Sequence, residues 1–470
     1  MSWETLDIIN FTRPDNISGL GDVEKAMLNE LFDIYEKYLP GNRTKNKYYE
    51  GDVSLSDVNL GIALPNGMAN LKIGCSWGAK TVDVLAGRSV FDGFVDENGN
   101  NMEELTKIVK SNNLIAEYFK ACRDELKFGC SFATLSSDGK GGCVIKFHSP
   151  QTAAAKWSGE KNRIECGFAI IDLQRVNDML IPHIINFYTD DMIWVLTNNV
   201  DTGLWRAVGH PHNMGRPLME PLVWNATSNK PLGRSRLKAP IRELIRGYVR
   251  TVANATIGLE FATAPQKYLL GITDEQFDQV INNKFKQYVG SILAATWNPD
   301  TGEKPTFGQL QQGNIQPHVE MLRILATQFS AASGLPVSDT GVVNDANPTS
   351  SDAITAQTKT LVGMAEELNA GNGESLRIIA LMAQAIVNKT TMDKLSDDQK
   401  SVVAHFKNPA MPTIASTTDA AIKIASAREG FANTDVFLEM IGFDQADIRR
   451  IKAQESKARG LNLVSELVNG

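Results

Sequence analysis

The run Gly74-Cys75-Ser76-Trp77-Gly78 spells G-x-S-x-G. That spacing can set a serine on a tight strand-to-helix turn with its hydroxyl presented to a substrate. Such a nucleophile works only where a histidine takes its proton and a carboxylate orients the histidine. The candidates are His148, His183, His210, His212, His318 and His405, and none stands in a supporting motif. Phosphate chemistry has less support: there is no G-x-x-x-x-G-K-[ST] loop, and SSDGKGG (Ser136 to Gly142) carries hairpin-turn residues rather than a phosphate cradle. No H-E-x-x-H occurs, and the five cysteines (Cys75, Cys122, Cys130, Cys143, Cys166) show no metal-ligand spacing. We therefore expect no catalytic residue, no metal and no cofactor, and read the cysteines as reduced thiols. A serine hydrolase with its elbow at Ser76 is the least favoured alternative.

A second pattern concerns charge. Arg234, Arg236, Lys238, Arg242, Arg246 and Arg250 face one acid, Glu243, before residue 251, and Arg242, Arg246 and Arg250 stand at i, i+4, i+8, which is one helical face. Such a row can meet phosphates, the carboxylates of a neighbouring subunit or solvent, and solvent or carboxylates are the commoner outcomes. The chain as a whole has 47 basic and 54 acidic residues, a net charge of −7, so any polyanion contact must be local. Between Val337 and Thr349 the only charges are Asp339 and Asp345. A surface of that kind repels phosphates rather than gripping them.

Positioning these groups takes several packed units, which 470 residues with 43% hydrophobic content can supply. Val23 to Tyr38 puts Met27, Leu31, Ile34 and Tyr38 on one helical face, with Pro40 and Gly41 expected to end the helix. Asn70 to Gly74 reads as a strand, Lys80 to Arg88 as a helix, and Asn101 to Gly129 as a helical stretch broken around Asn112. From Ser131 to Trp224, short alternating runs between turn signals predict an antiparallel meander. A long helix is expected from Leu232 to Ala264, its apolar stripe being Leu237, Ile241, Leu244, Ile245, Val249 and Val252. A small α/β insertion follows, then a helix from Pro317 to Ser333 stopped by Gly334 and Pro336. Helix connections usually run about two to eight residues, yet the next one reaches Asn347, an N-cap before Pro348. Ala370-Gly371-Asn372-Gly373 is expected to kink or break the helix after it. No leader opens the chain and no apolar run approaches the roughly 18 residues of a membrane span, so neither export nor membrane insertion is expected.

The ordered set YYEGD (Tyr48 to Asp52), WGAKTVDVLAGRSVFDGF (Trp77 to Phe94), PLGRSR, APQKYLLG, ATQFSAASGLPVS and NPTSSDAITAQ resembles the portal proteins of long-tailed (siphovirus-type) bacteriophages, from Asn42 to Lys457. The resemblance implies an α+β, multi-domain subunit with long stem helices, a mixed α/β wing and clip, and a helical crown. On this chain, residues 1–230 correspond to the wing, 231–262 to the first stem helix, 263–314 to the clip and 315–334 to the second stem helix. The tunnel loop is then 335–348, a long helix returns to the wing over 349–392, and 393–470 is crown-like. A ring, usually a dodecamer, is implied, with double-stranded DNA passing non-specifically through its channel. Val337, Ser338, Asp339, Thr340, Gly341, Val342, Val343, Asn344 and Asp345 would line that channel, and Arg242, Arg246 and Arg250 would face DNA or a neighbouring subunit. Lys284, Lys286, Asn298 and Asp300 would dock partners at the clip. Implied partners are the terminase large subunit, which supplies the work this chain has no motor motif to provide, a head-tail adaptor, and the major capsid and scaffold proteins. The implied location is a capsid vertex of the virion, after assembly in the host bacterial cytoplasm. Another virion structural protein or a head-tail adaptor is the alternative.

Overall fold

A computed structural model describes residues 11–54, 57, 73–176, 179–199, 202–263, 267–270, 302, 306–309, 314–342, 351–410, 414–428, 430–443, 447–448 and 450–457. The chain divides into two compact units, Met1–Lys407 and Asn408–Gly470.

The first unit opens with a short strand, β1 (Ile17–Ser18), and a helix, α1 (Asp22–Tyr49). The helix overruns its predicted end, since Pro40 lies inside it. Proline removes a helical hydrogen bond and is costly in a helix interior, so packing on both sides of it must hold the helix together. Leu28, Leu31, Phe32 and Tyr35 are buried before Pro40, and Asn42 and Tyr48 after it. The two halves serve different cores: the first packs with Phe168, Phe187 and Trp205, while Tyr48 joins the larger cluster around Trp77 and Phe329. The Tyr35 hydroxyl donates to the Gln151 carbonyl at 2.5 Å, and the Asn42 amide to the Pro150 carbonyl at 3.3 Å.

Next come α2 (Trp77–Ala86), β2 (Phe91–Val95), α3 (Glu103–Ser111) and α4 (Leu114–Phe128). The break predicted near Asn112 is present, with Asn113 in the left-handed region at φ +49. Asn112 ties this corner down, donating to the Cys143 carbonyl at 2.9 Å and accepting from the Ile145 N–H at 2.8 Å. Of the strand expected over Asn70 to Gly74, only Ile73 and Gly74 are among the described residues, and they are irregular.

The predicted meander is present but divided between two sheets. Five consecutive strands, β5 (Ala153–Ser158), β6 (Arg163–Val176), β7 (Met179–Tyr188), β8 (Met192–Asn199) and β9 (Leu204–Pro211), pair antiparallel, and β1 adds to β9 in parallel. The strands β3 (Cys130–Ser137), β4 (Cys143–His148) and β10 (Met219–Val223) form a separate sheet in the order β10-β3-β4. The Ser136 to Gly142 run is the β3–β4 turn, where one Asp138 carboxylate oxygen accepts from the Lys140 and Gly142 N–H groups at 2.7 Å each.

The first long helix, α5 (Ala239–Thr263), starts seven residues later than predicted. Pro240 explains the shift, because it is tolerated in a first turn but not in the interior that a start at Leu232 would require. Ahead of it, Gly233 at φ +71 presses on the Gly129 and Trp224 carbonyls, with only 2.4 Å to either for an added Cβ. The strands β11 (Lys267–Leu270) and β12 (Thr306–Gln309) pair antiparallel, and α6 (Gln316–Ser333) ends at Gly334, φ +71, as its sequence signals.

The helix α7 (Ser351–Val387) runs unbroken through Ala370 to Gly373, so the break that was one of the two expected outcomes is absent. Asn372 is fully buried, and its side chain donates to the Tyr118 hydroxyl (3.0 Å) and to Glu125 (2.8 Å). These bonds hold the turn in helical form where propensity alone does not. After α8 (Asp397–Lys400), β13 (Val403–Phe406) pairs with β2, so this part of the crown-like region belongs to the first unit. In the second unit, α9 (Ile414–Ala427) and α10 (Asp435–Met440) bury Ala421 but leave Ile422 and Val436 more than half exposed. No described helix is long and apolar enough to cross a membrane.

Candidate functional site

The helices α5 and α6 pack against one another, and Gly247 permits the approach: a Cβ there would stand 3.1 Å from Leu325 Cδ2. Ile241, Ile245, Val249 and Ala253 are buried on α5, and Leu325, Ala326 and Phe329 on α6. Trp77 closes the pair. Its ring stacks on Phe329 with centroids 4.6 Å apart and lies 4.7 Å from Tyr248, while its Nε1–H donates to the Thr340 carbonyl at 3.0 Å. One side chain thus touches both long helices and the turn that follows the second.

This geometry accounts for the G-x-S-x-G run. A Cβ on Gly78 would lie 2.0 Å from the Tyr48 carbonyl oxygen, so the glycine is what lets α2 cross the end of α1. Ser76 is exposed just ahead of α2, and among the described residues no histidine is bonded to it. His148 instead shares a hydrogen bond with the Thr134 hydroxyl at 3.0 Å, and burial lowers its pKa to about 4. His405 lies 3.8 Å from Asp92.

Arg236, which the sequence places on a basic helix face, is a buried tie ahead of α5. Its Nε donates to the Thr81 carbonyl and one Nη to the Ser333 carbonyl, each at 2.6 Å, while the guanidinium sits 5.7 Å from the Trp224 ring. Burial lowers its pKa to about 10, which leaves it cationic at neutral pH. Ser333 closes α6, where the helix dipole presents negative charge. Lys238 and Arg234 also precede α5, so only Arg242, Arg246 and Arg250 ride the helix. Arg246 donates to the Tyr48 hydroxyl at 2.5 Å and pairs with Glu243 at 3.1 Å. Arg242 donates to the Leu237 carbonyl at 3.0 Å. Both guanidinium groups lie 6.0 Å from the Tyr48 ring. Arg250 has no hydrogen bond or ion pair among the described residues.

The loop expected after α6 begins as packed structure. Val337–Thr340 forms a 3-10 turn, Leu335 and Thr340 are buried, and Val342 rests on the core. Val337 and Asp339 are half-buried, while Ser338 and Gly341 are exposed. Val343, Asn344 and Asp345 lie outside the described residues, as do Asn347 and Pro348 of the expected helix start. Lys284, Lys286, Asn298 and Asp300, the residues expected to dock partners, also lie outside them.

Sequence reasoning missed a buried polar chain between α4 and α7. Ser89 shares a hydrogen bond with the Tyr118 hydroxyl (2.7 Å) and donates to Asn369 (2.6 Å), while Asn372 joins Tyr118 to Glu125. Burial raises the Glu125 carboxyl to about 8. The signal available was an asparagine between two glycines in a helical pattern. All five cysteines are buried and unpaired, and burial pushes the thiols up, Cys75 to about 11 and Cys130 to about 12.

The long helix pair is thus clamped to α2, and packing against Tyr48 accounts for the second glycine of the motif. The family model described as phage portal protein, SPP1 Gp6-like, matches residues 28–460, and the chain belongs to that family of non-enzymatic virion proteins. No curated protein sequence matches it. It is similar to a chain from the neck of a native GTA particle computed with C12 symmetry: identity is 12%, coverage is 79% of this chain and 90% of that one, and the TM-score is 0.47. The corresponding figures for the neck of an empty GTA particle computed with C6 symmetry are 12%, 76%, 87% and 0.46. For an HK97 family phage portal protein from Corynebacterium diphtheriae they are 13%, 71%, 94% and 0.35.

Proposed function

We propose that the protein closes into a ring, a dodecamer in the reading its family suggests, set at one capsid vertex, with a central channel through which double-stranded DNA is packaged and ejected. The observation that carries this reading is the clamped helix pair. Two long helices are tied by Trp77 and Arg236, to one another and to α2. A heterologous interface between identical copies closes when its rotation divides the circle, and long helices with one buried stripe are suited to side-by-side packing. Exposed Val319, Met321 and Ile324 on α6 are free for such contact.

Residues 343–350 leave from the docked turn at Thr340 and Val342, and this reading sets them against the DNA in the channel. The insertion 263–314 is the docking end for the terminase large subunit and then the head-tail adaptor. The crown-like helices, the capsid and the scaffold complete the vertex, and assembly takes place in the host bacterial cytoplasm. Mass photometry and negative-stain class averages of the purified full chain test the ring: closed particles with a central hole wide enough for B-form DNA are expected. A monomer at every concentration overturns it.

A further inference from the structure

Between α1, β5 and the segment leading into α5 lies a cavity of about 570 Å³. Lys45, Lys230, Arg234, Lys238 and Arg242 line it, and among the described residues no aspartate or glutamate does. Among the described residues none of the five cations is in an ion pair. Lys45 is satisfied by neutral oxygens, the Asn42 side chain at 3.1 Å and the Phe128 carbonyl at 3.0 Å. Burial lowers its pKa most; Cys130 opposes this, and the charges of Arg242 and Lys230 lower it further. The start of α5 at Ala239 also lines the cavity and adds the positive end of its dipole. Gathering cations without counterions is unfavourable unless an anion arrives from outside.

Beside the cations the wall is mixed, with Asn42, Asn229 and Ser235 among mostly apolar residues. Tyr38 is 57% exposed at the rim, and Ile34, Ala155, Trp157 and Leu237 form the floor. A duplex, whose major groove alone is about 12 Å wide, is too broad to enter. Single-stranded nucleic acid binds on rows of exposed aromatic faces, whereas of the aromatic residues lining this cavity only Tyr38 is exposed, Trp157 is half-buried, and Tyr35, Phe128 and Phe132 are buried. We propose that this cavity docks an acidic peptide segment of a partner protein, with its carboxylates against the five cations and one apolar side chain against Tyr38, Trp157 and Leu237. The site goes beyond the channel reading and does not depend on it.

The probe is a short fluorescein-labelled peptide of Asp, Glu and Leu, titrated into the full chain by anisotropy. The variant is Lys230→Glu with Lys238→Glu, two exposed positions whose change should leave the melting temperature in place. Saturable binding is expected, weaker by about tenfold or more in the variant because attraction becomes repulsion, with no binding of a Lys and Leu counterpart. Absence of binding, or equal affinity for parent and variant, overturns the proposal. An oligo-dT affinity that falls while the peptide's does not would make the cavity a nucleic-acid surface. Altered oligomer mass with unchanged peptide affinity would make it an interface between copies. Either result also overturns the proposal.

Discussion

Trp77 and Glu125 each concentrate several contacts in one side chain, and their substitution separates packing from hydrogen bonding. Trp77→Ala removes a ring held between Tyr248 and Phe329 and should cost about 3–5 kcal/mol, as other large aromatic truncations in cores do. Trp77→Phe keeps much of the ring but strands the Thr340 carbonyl, a loss of about 1–3 kcal/mol, readable by denaturant melts. Glu125 predicts a pH dependence. Its carboxyl is raised from 4.5 to about 8 in the folded chain, so between those values the unfolded chain has lost a proton that the folded one keeps. Stability from this group is therefore full below about 4.5, falls as pH rises, and levels off above about 8. Glu125→Gln should flatten that slope and gain roughly 2–4 kcal/mol at pH 8. Calorimetry from pH 5 to 9 checks this, and a variant that keeps the parent's slope contradicts the assignment. Burial of an acid on an otherwise ordinary helix leaves no local signature, so Glu125 itself was not legible in the sequence; the available hint was Asn372 between two glycines on the facing helix.

At the scale of elements, most of what periodicity can show was legible: the break at Asn112, the strand-rich stretch after Ser131 and the glycine stop of α6. The errors share a cause. Pro40 inside α1 and the glycines inside α7 are local breakers overruled by packing at a distance, through the Pro150 carbonyl in one case and Tyr118 with Glu125 in the other. The opposite error, starting α5 at Leu232, came from reading a basic run as a helix face when Arg236 turns inward. The family resemblance carried the portal reading, whereas the composition of 335–348 gave no sign that its first half packs as a turn. Two glycines distinguish tolerated from required positions. Gly363 on α7 is exposed with nothing within 4 Å of an added Cβ, so Gly363→Ala should stabilise by about 1 kcal/mol through helix propensity. Gly78→Ala meets the Tyr48 carbonyl at 2.0 Å, and a several-degree fall in melting temperature is expected.

For the whole molecule, the junction separates what holds a subunit together from what the proposed channel uses. Residues 335–342 are anchored, so shortening 343–350 to a few Gly and Ser residues should change subunit stability by only about 1 kcal/mol, since closure entropy varies slowly with length. Rings should persist while nuclease-protected DNA in assembled particles is lost. Full DNA retention by this variant would make the segment a plain connector. The reach of the pairings has a kinetic meaning as well. Ile17 pairs with Trp205, and Trp77 waits for Phe329 and Thr340. Contacts so distant along the chain slow folding, and a ribosome adding about 5–20 residues per second exposes the apolar stripe of α1 for many seconds before its sheet exists. The long helix pair cannot be clamped until synthesis has passed Thr340, so a shorter nascent chain has no finished helix pair with which the proposed ring contact could form.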